Sequence, residues 1–142
     1  MNLLIDTNIL LDVLQKREPF FEASVSVWRR CERGAAYGWI SAMSVPDIVY
    51  ILRKELTPAK TAEVYESLSM LFRIAALIPA DLALAADMRW KDYENAVQAA
   101  TAERLGCDAI ITRSVRDYEG SSVPAVTPED FLKSLGTPER PD

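Results

Sequence analysis

Short apolar runs alternate with longer helical patterns along this chain, and that alternation constrains its fold more than any other feature. The first run lies in residues 2–6 and is too short for a helix, which is typical of a buried parallel strand. Further strands are predicted near Trp39-Ile40, from Ile74 to Ile78, at Ala109-Ile110-Ile111 and near Val126. Alternation of this kind favours a central parallel sheet with helices on both faces, which is a three-layer α/β/α domain.

Helices are predicted between these strands, and several have recognisable ends. The predicted ranges are Ile9 to Gln15, Phe20 to Arg33, Ser44 to Leu52, Thr57 to about Phe72, Leu82 to Met88 and Tyr93 to Leu105. Thr57-Pro58 and Thr127-Pro128 each place a capping side chain before a proline at the first helical position, and the second pair starts a last helix. We therefore predict one domain over residues 1–135 and a flexible tail at 136–142.

The composition excludes several kinds of chemistry. The 142 residues include no histidine, which rules out serine–histidine triads, cysteine–histidine pairs and the usual zinc sites. Cys31 and Cys107 are interpreted as buried thiols in a reducing compartment, because their spacing is not that of metal ligands. No apolar run approaches the roughly 20 residues of a membrane helix, and no signal peptide is recognisable, so a cytoplasmic protein without a membrane partner is predicted.

The charge balance is acidic, with 16 lysines and arginines against 21 aspartates and glutamates. Such a chain lacks the basic excess that is typical of sequence-independent nucleic-acid binding. Converged acids can nevertheless hold a cation that in turn holds a phosphate. The tryptophans Trp28, Trp39 and Trp90 are interpreted as core or interface residues rather than base-stacking platforms.

Two acids follow predicted strands at the sheet edge where α/β proteins bind ligands. Asp6 comes directly after Leu3-Leu4-Ile5, and Asp117 lies six residues past Ile111. Because these strands are distant in sequence, the fold can bring the two carboxylates together. The competing interpretations are a helix cap or turn former for Asp6 and a solvated loop acid for Asp117.

Three further polar residues point to the same edge. Asp47 belongs to Ser44-Val45-Pro46-Asp47, which also matches a capping-box variant in which the acid only supports the helix start. Asp92 and Asn95 are three residues apart and share a helix face, whereas Glu94 is predicted to look elsewhere. A solvated acidic first turn, favoured by the helix dipole, is the competing interpretation for this segment.

Together these residues have a chemical logic that none has alone. Carboxylates that are forced together raise one another's pKa unless a cation lies among them. Oxygen ligands without histidine or thiolate suit Mg²⁺ or Mn²⁺. Such a metal lowers the pKa of a bound water and neutralises charge on a phosphodiester under in-line attack.

The stretches "LLIDTNILLDVL", "KDYENAVQAATAERLGCDAIITRSVRDY" and "VPAVTPEDFL" resemble, in this order, the PIN-domain family, and in particular the VapC-like ribonuclease toxins of bacterial toxin–antitoxin pairs. The resemblance implies a metal-dependent endoribonuclease that acts on structured RNA, forms homodimers and is neutralised by a cognate antitoxin. It assigns Asp6, Asp47 and Asp117 to the metal, with Thr112 and Ser114 nearby.

The sequence departs from the family pattern at position 95, where it has Asn95 and the family typically has an acid. An amide coordinates through its oxygen but brings no charge, so a weaker metal contact is expected there, with Asp92 as a further contributor. Arg113 and Arg116 are candidates to hold RNA phosphates. The alternative interpretation is a weakened or inactive PIN-fold binding module. An aspartate-nucleophile phosphatase or a phosphotransfer receiver fits less well, because Asn8 stands where the phosphatase pattern requires a second aspartate.

Overall fold

Five short strands form one parallel sheet in the computed structural model, which describes residues 1–135. The strands are β1 (Asn2–Ile5), β2 (Tyr37–Ser41), β3 (Arg73–Ala75), β4 (Ala109–Ile111) and β5 (Ala125–Val126), and they lie in the order β3-β2-β1-β4-β5. The central strand β1 places Leu4 opposite Trp39 on one side and opposite Ile110 on the other. The predicted parallel sheet is confirmed, and the tail predicted at 136–142 lies outside the described residues.

Helices connect the strands throughout the described part of the chain. They are α1 (Thr7–Leu14), α2 (Phe21–Glu32), α3 (Ser44–Ile51), α4 (Pro58–Leu71), α5 (Pro79–Met88), α6 (Tyr93–Leu105) and α7 (Pro128–Ser134), and a 3-10 helix covers Val115–Tyr118. No helix among residues 1–135 is long and apolar enough to cross a membrane.

Alternate residues of the central strands face the two helical layers. Leu3 and Ile5 pack into the larger core with side chains of α1, α2, α3, α4 and α7. Leu4 and Ile110 pack on the opposite face, against α6 and the 3-10 helix. Burial on both faces explains why β1 reads as a continuous apolar run rather than an alternating one. The predicted three-layer α/β/α architecture is confirmed.

Two sequence-based predictions of local structure are wrong. The strand predicted from Ile74 to Ile78 is shorter, because the chain leaves the sheet after Ala75 and Pro79 begins α5. Asp81 explains this early helix start, since its Oδ2 accepts a hydrogen bond from the Ile78 amide at 3.3 Å. The capping-box interpretation of Ser44 fails as well, because Met43 is the N-cap of α3 and no side chain caps that helix.

The threonine caps and the buried thiols are as predicted. Thr57 accepts a hydrogen bond from the Lys60 amide at 3.2 Å, and Thr127 accepts one from the Asp130 amide at 3.1 Å. Cys31 and Cys107 are buried and free. Burial raises the pKa of each thiol to about 11, so both are poor nucleophiles at neutral pH.

Gly38 on β2 packs closely against Phe72 and against Cys31 of α2, and the first prediction concerns this contact. A Cβ at this position would lie 2.7 Å from Phe72 Cδ1 and 2.8 Å from Cys31 Sγ. Gly38→Ala is therefore expected to lower the free energy of unfolding by about 1–3 kcal/mol through overpacking. Urea unfolding of the native protein and the variant measures the difference.

The control for Gly38→Ala is the same substitution in a Phe72→Leu background. The Phe72 ring supplies the nearest atom to the new methyl group, so its removal is expected to reduce the cost of Gly38→Ala. An equal cost in both backgrounds would show that the Phe72 contact is not the cause.

Candidate functional site

A pocket of about 440 Å³ opens at the carboxyl edge of the sheet, where the first turns of α1, α3 and α6 meet the 3-10 helix. It brings together all of the residues proposed from sequence as metal ligands. Its acidic and amide side chains are Asp6, Asp47, Asp92, Glu94, Asn95, Gln98, Asn8 and Asp117.

Asp6 is the most buried acid of this pocket, with 6% of its surface exposed. It occupies the N-cap position of α1, but its side chain makes no capping hydrogen bond. Instead its Oδ2 accepts hydrogen bonds from Thr112 Oγ1 at 2.7 Å and from the Tyr118 hydroxyl at 3.2 Å. Burial raises the pKa of Asp6, and hydrogen bonds with the Thr112 side chain, the Thr7 backbone and the Tyr118 hydroxyl oppose the rise. The carboxylate therefore lines the pocket from a position at the start of α1.

Asn95 lies on the other side of Tyr118. The Tyr118 hydroxyl is 3.2 Å from Asn95 Oδ1 and, with a single proton, donates either to this amide or to Asp6 at one time. Asp92 caps α6, because its Oδ1 accepts a hydrogen bond from the backbone N–H of Asn95 at 3.1 Å, and it also lines the pocket. Asp92 is exposed, as in the competing interpretation of a solvated acidic turn, and it both caps α6 and lines the pocket.

Glu94 is the acid that sequence reasoning missed, and the prediction that it looks elsewhere is wrong. It lines the pocket and hydrogen-bonds with Asp47, and this bond, burial and the nearby acids raise the pKa of Glu94 to about 7. Below that pH Glu94 is mostly protonated. The helical spacing rule fails here because the pocket lies at the end of α6, where Asp92, Glu94 and Asn95 all line it.

A polar contact joins the first turns of α1 and α3 to the second turn of α6. Ser44 Oγ lies 2.8 Å from Thr7 Oγ1, and Gln98 Nε2 donates to Ser44 Oγ at 3.3 Å and to Thr7 Oγ1 at 3.5 Å. These bonds explain why Ser44 does not cap α3. They also fix the position of Asp47, which lies one turn further along α3.

Asp117 comes to the pocket from the 3-10 helix and is solvent-exposed. The loop before it is held by Asn8, whose Nδ2 donates to Thr112 Oγ1 at 3.5 Å and to Ser114 Oγ at 3.4 Å. The Ser114 amide donates to Thr112 Oγ1 at 3.0 Å. Thr112 and Ser114 thus lie beside the acids, and Asp117 combines the exposure of a loop acid with a place in the site.

The two arginines proposed as phosphate contacts have different surroundings. Arg113 Nε donates to Asp12 Oδ2 at 2.7 Å, and its guanidinium carbon lies 4.1 Å from the centre of the Phe20 ring. Asp12 is completely buried, so Arg113 neutralises a carboxylate of the core. Arg116 is exposed and lines a second groove beside the acid pocket. A phosphate contact by either arginine stays a prediction.

The donor chemistry of the pocket suits a hard divalent cation. Its ligating atoms are carboxylate, amide and hydroxyl oxygens. Burial raises the pKa of Asp6, and the hydrogen bond with Asp47, burial and the nearby acids raise the pKa of Glu94. Within residues 1–135, however, no three acidic, cysteine or histidine side chains form a ready-made metal cluster. The residues therefore fit Mg²⁺ or Mn²⁺ by chemistry but do not form a preassembled cage.

Comparison with known proteins links this geometry to a family. The sequence model of the PIN domain matches residues 2–116. No curated protein is significantly similar in sequence to the chain.

Solved structures with the same fold cover nearly all of the chain. A toxin–antitoxin complex from Klebsiella pneumoniae includes a chain that is 23% identical, with a TM-score of 0.69 over 88% of this chain and 96% of that one. FitAcB from Neisseria gonorrhoeae gives 22% identity and a TM-score of 0.67 over 89% and 98%. VapC20 from Mycobacterium tuberculosis, described as a sarcin–ricin-loop-cleaving toxin, gives 13% identity and a TM-score of 0.60 over 97% and 98%.

The Arg113–Asp12 pair generates the second prediction. Arg113→Met is expected to lower the free energy of unfolding by about 3–5 kcal/mol, because it leaves a buried carboxylate without its cation. Arg116→Met makes the same chemical change at an exposed position of the same segment, and is expected to alter stability by at most about 0.5 kcal/mol. Chemical unfolding of both variants provides the comparison. Equal effects would mean that Asp12 does not depend on Arg113.

Proposed function

The chain belongs to the PIN-domain family, and from that premise we propose that it is a Mg²⁺- or Mn²⁺-dependent endoribonuclease. In this proposal it hydrolyses RNA phosphodiester bonds as the toxin of a toxin–antitoxin pair. The observation that carries the proposal is the oxygen-lined pocket at the carboxyl edge of the sheet, where Asp6, Asp47, Glu94 and Asp117 meet. A pocket of this composition has little use without a cation, since its acids repel one another.

In this proposal Asp6, Asp47 and Asp117 hold the metal. Thr112 and the Tyr118 hydroxyl keep the Asp6 carboxylate in one orientation. When bound, the metal supplies a water of lowered pKa and neutralises charge on the phosphate. The chain's own part is to position these carboxylates and to exclude solvent from the buried side of the site.

We propose that Glu94 compensates for the charge that is missing at Asn95. Asn95 brings no charge, and its Oδ1 lies within hydrogen-bond distance of Tyr118. Glu94 precedes it in the same helical turn and lines the same pocket. We assign to Glu94 the negative charge that the family pattern has at the next position. The proposed site thus keeps four carboxylates around the metal, with Asp92 capping the helix beside them.

A second candidate function is a PIN-fold binding module that no longer cuts RNA. The observation that favours it is again Asn95, because the hydrogen bond with Tyr118 gives its amide a structural use that needs no metal. The absence of a ready-made metal cluster in the described part of the chain is consistent with this alternative.

The proposed partners come from the family and from its solved relatives. The similar chain from Klebsiella pneumoniae was solved in a toxin–antitoxin complex, and FitAB was solved bound to a DNA fragment. By analogy we propose a cognate antitoxin, a homodimeric toxin and a cytoplasmic location for this chain. An RNA substrate is proposed on the same basis. It is also supported by VapC20, which is described as cleaving the sarcin–ricin loop.

The third prediction concerns RNA cleavage. In the presence of Mg²⁺ or Mn²⁺, the native protein is expected to cleave a labelled pool of structured RNA. EDTA is expected to abolish this cleavage. Asp6→Asn is expected to reduce the rate roughly 100-fold or more, because several kcal/mol of charge stabilisation depend on the metal. Asp87→Asn removes an exposed acid from α5 and serves as the matched control, with native activity expected.

The same assay separates the two candidate functions through Asn95→Asp. If the chain is an active nuclease, the native protein cuts the RNA without this substitution. If the native protein does not cut the RNA and the Asn95→Asp variant does, the chain is a binding module and the nuclease proposal is wrong.

The fourth prediction tests the assignment of Glu94 by metal binding rather than by activity. Glu94→Gln keeps the side-chain shape and removes the charge, and it is expected to weaken Mn²⁺ binding by roughly tenfold or more. Calorimetric titration with Mn²⁺ measures this affinity. Glu63→Gln changes an exposed residue of α4 in the same way and is expected to bind Mn²⁺ like the native protein. Equal affinities for both variants would remove Glu94 from the site.

A further inference from the structure

A second, wider groove of about 770 Å³ borders the acid pocket. The two share Asp92, Glu94 and Asp117, so a molecule that leaves the pocket on this side enters the groove directly. The remaining lining residues are aromatic or charged: Trp90, Lys91, Tyr93, Arg116 and Glu119.

The aromatic rings of this groove are held in place. Tyr93 leaves 46% of its surface exposed, yet its hydroxyl donates to the Leu82 carbonyl at 2.9 Å and so anchors the ring against α5. Trp90 is half-buried and meets the Tyr118 ring edge to face, with the ring centres 6.0 Å apart. Trp90 is interpreted from sequence as a core or interface residue, and it both packs against the core and lines the groove. A fixed, exposed ring is a low-entropy surface for stacking.

The charges of the groove are unevenly distributed with respect to the pocket. Its shared acids lie on the pocket side, whereas Lys91 and Arg116 belong to the groove alone, together with the single acid Glu119. An anion that approaches without a cation meets the repulsion of the shared acids. Once a divalent cation neutralises them, the two basic side chains favour a phosphate.

We propose that this groove binds one nucleotide of the RNA strand next to the scissile phosphate. Its base stacks on Tyr93 and contacts Trp90, and its phosphate is held by Lys91 and Arg116. The inference rests on the proposed function, because it takes the acid pocket as the place of cleavage. Stacking contacts the face of a base, which all bases have, and not the hydrogen-bonding edge that distinguishes them. The groove therefore accepts several bases and contributes more to affinity than to sequence specificity.

The first test locates the binding site with small probes that contain no phosphodiester bond and so are not cleaved. Adenosine monophosphate carries one base and one phosphate, adenosine lacks the phosphate, and ribose 5-phosphate lacks the base. With Mg²⁺ present, the monophosphate is expected to shift the Trp90 indole N–H signal in an NMR spectrum more than the other probes do. Shifts of Trp28 or Trp39 alone, or equal shifts with ribose 5-phosphate, would overturn the proposed base site.

The fifth prediction measures the contribution of Tyr93 to RNA affinity. Tyr93→Ala is expected to weaken the binding of a short fluorescent single-stranded RNA roughly 5- to 100-fold, as for the loss of one base–aromatic stack. Tyr93→Phe keeps the ring and is expected to bind within a factor of about three of the native protein, since stacking uses the ring and not the hydroxyl. Tyr65→Ala removes a similarly exposed ring from α4 and is expected to have no effect. Anisotropy titrations with Mg²⁺ give the affinities, and thermal melting confirms that each variant is folded.

The outcomes distinguish this inference from the proposed function. If native protein cuts RNA and Tyr93→Ala binds it as tightly, the groove is not a nucleotide site and the nuclease proposal stands. If Tyr93→Ala and Tyr93→Phe lose affinity equally, the ring is not the contact. If native protein neither binds nor cuts RNA, both proposals fall together.

Discussion

The hydrogen bond from Thr112 to Asp6 is the interaction on which the candidate site depends. It exists because β1 and β4 are neighbours in the sheet, and the Asp6 amide extends their pairing by donating to the Ile111 carbonyl at 2.9 Å. A carboxylate this buried is costly to desolvate unless it has partners, and Thr112 and Tyr118 provide them. The core therefore determines both where the acid lies and which way it faces.

The other acids gather around Asp6 because helices begin where strands end. Asp6 is the N-cap of α1, Asp47 lies in the first turn of α3, and Asp92 caps α6 just before Glu94. The amino ends of three helices thus point toward one pocket. Each end carries partial positive charge and moderates the repulsion among the carboxylates. This arrangement lets the fold hold a concentration of negative charge that a sheet edge alone would not stabilise.

Sequence patterns were informative where one physical cause dominates. The apolar runs predicted the strands β1 and β4, and the Thr-Pro pairs predicted the starts of α4 and α7. The convergence of Asp6, Asp47 and Asp117 followed from the rule that ligands bind at the carboxyl edge.

Predictions failed where local rules compete with tertiary contacts. Ser44 has the sequence of a helix cap, but Thr7 and Gln98 take its hydroxyl from segments far away in the chain. Glu94 was assigned to the wrong side because helical periodicity describes the flank of a helix and not its end. Nothing local in the sequence reveals that Arg113 pairs with the buried acid Asp12, and the phosphate contact proposed for Arg113 stays a prediction. In each case the partner is distant in sequence.

The contact of Thr7, Ser44 and Gln98 has a consequence for when the site comes into existence. Gln98 is 91 residues from Thr7 in the sequence, and Thr112 is 106 residues from Asp6. Each of these contacts therefore requires two segments that are far apart in the chain. A nascent chain that ends before α6 contains Asp6 and Asp47 but neither the residue that joins their helices nor the hydroxyl that orients Asp6. The pocket thus requires every segment from β1 to the 3-10 helix, and a copy that ends before α6 carries two of its acids without the site.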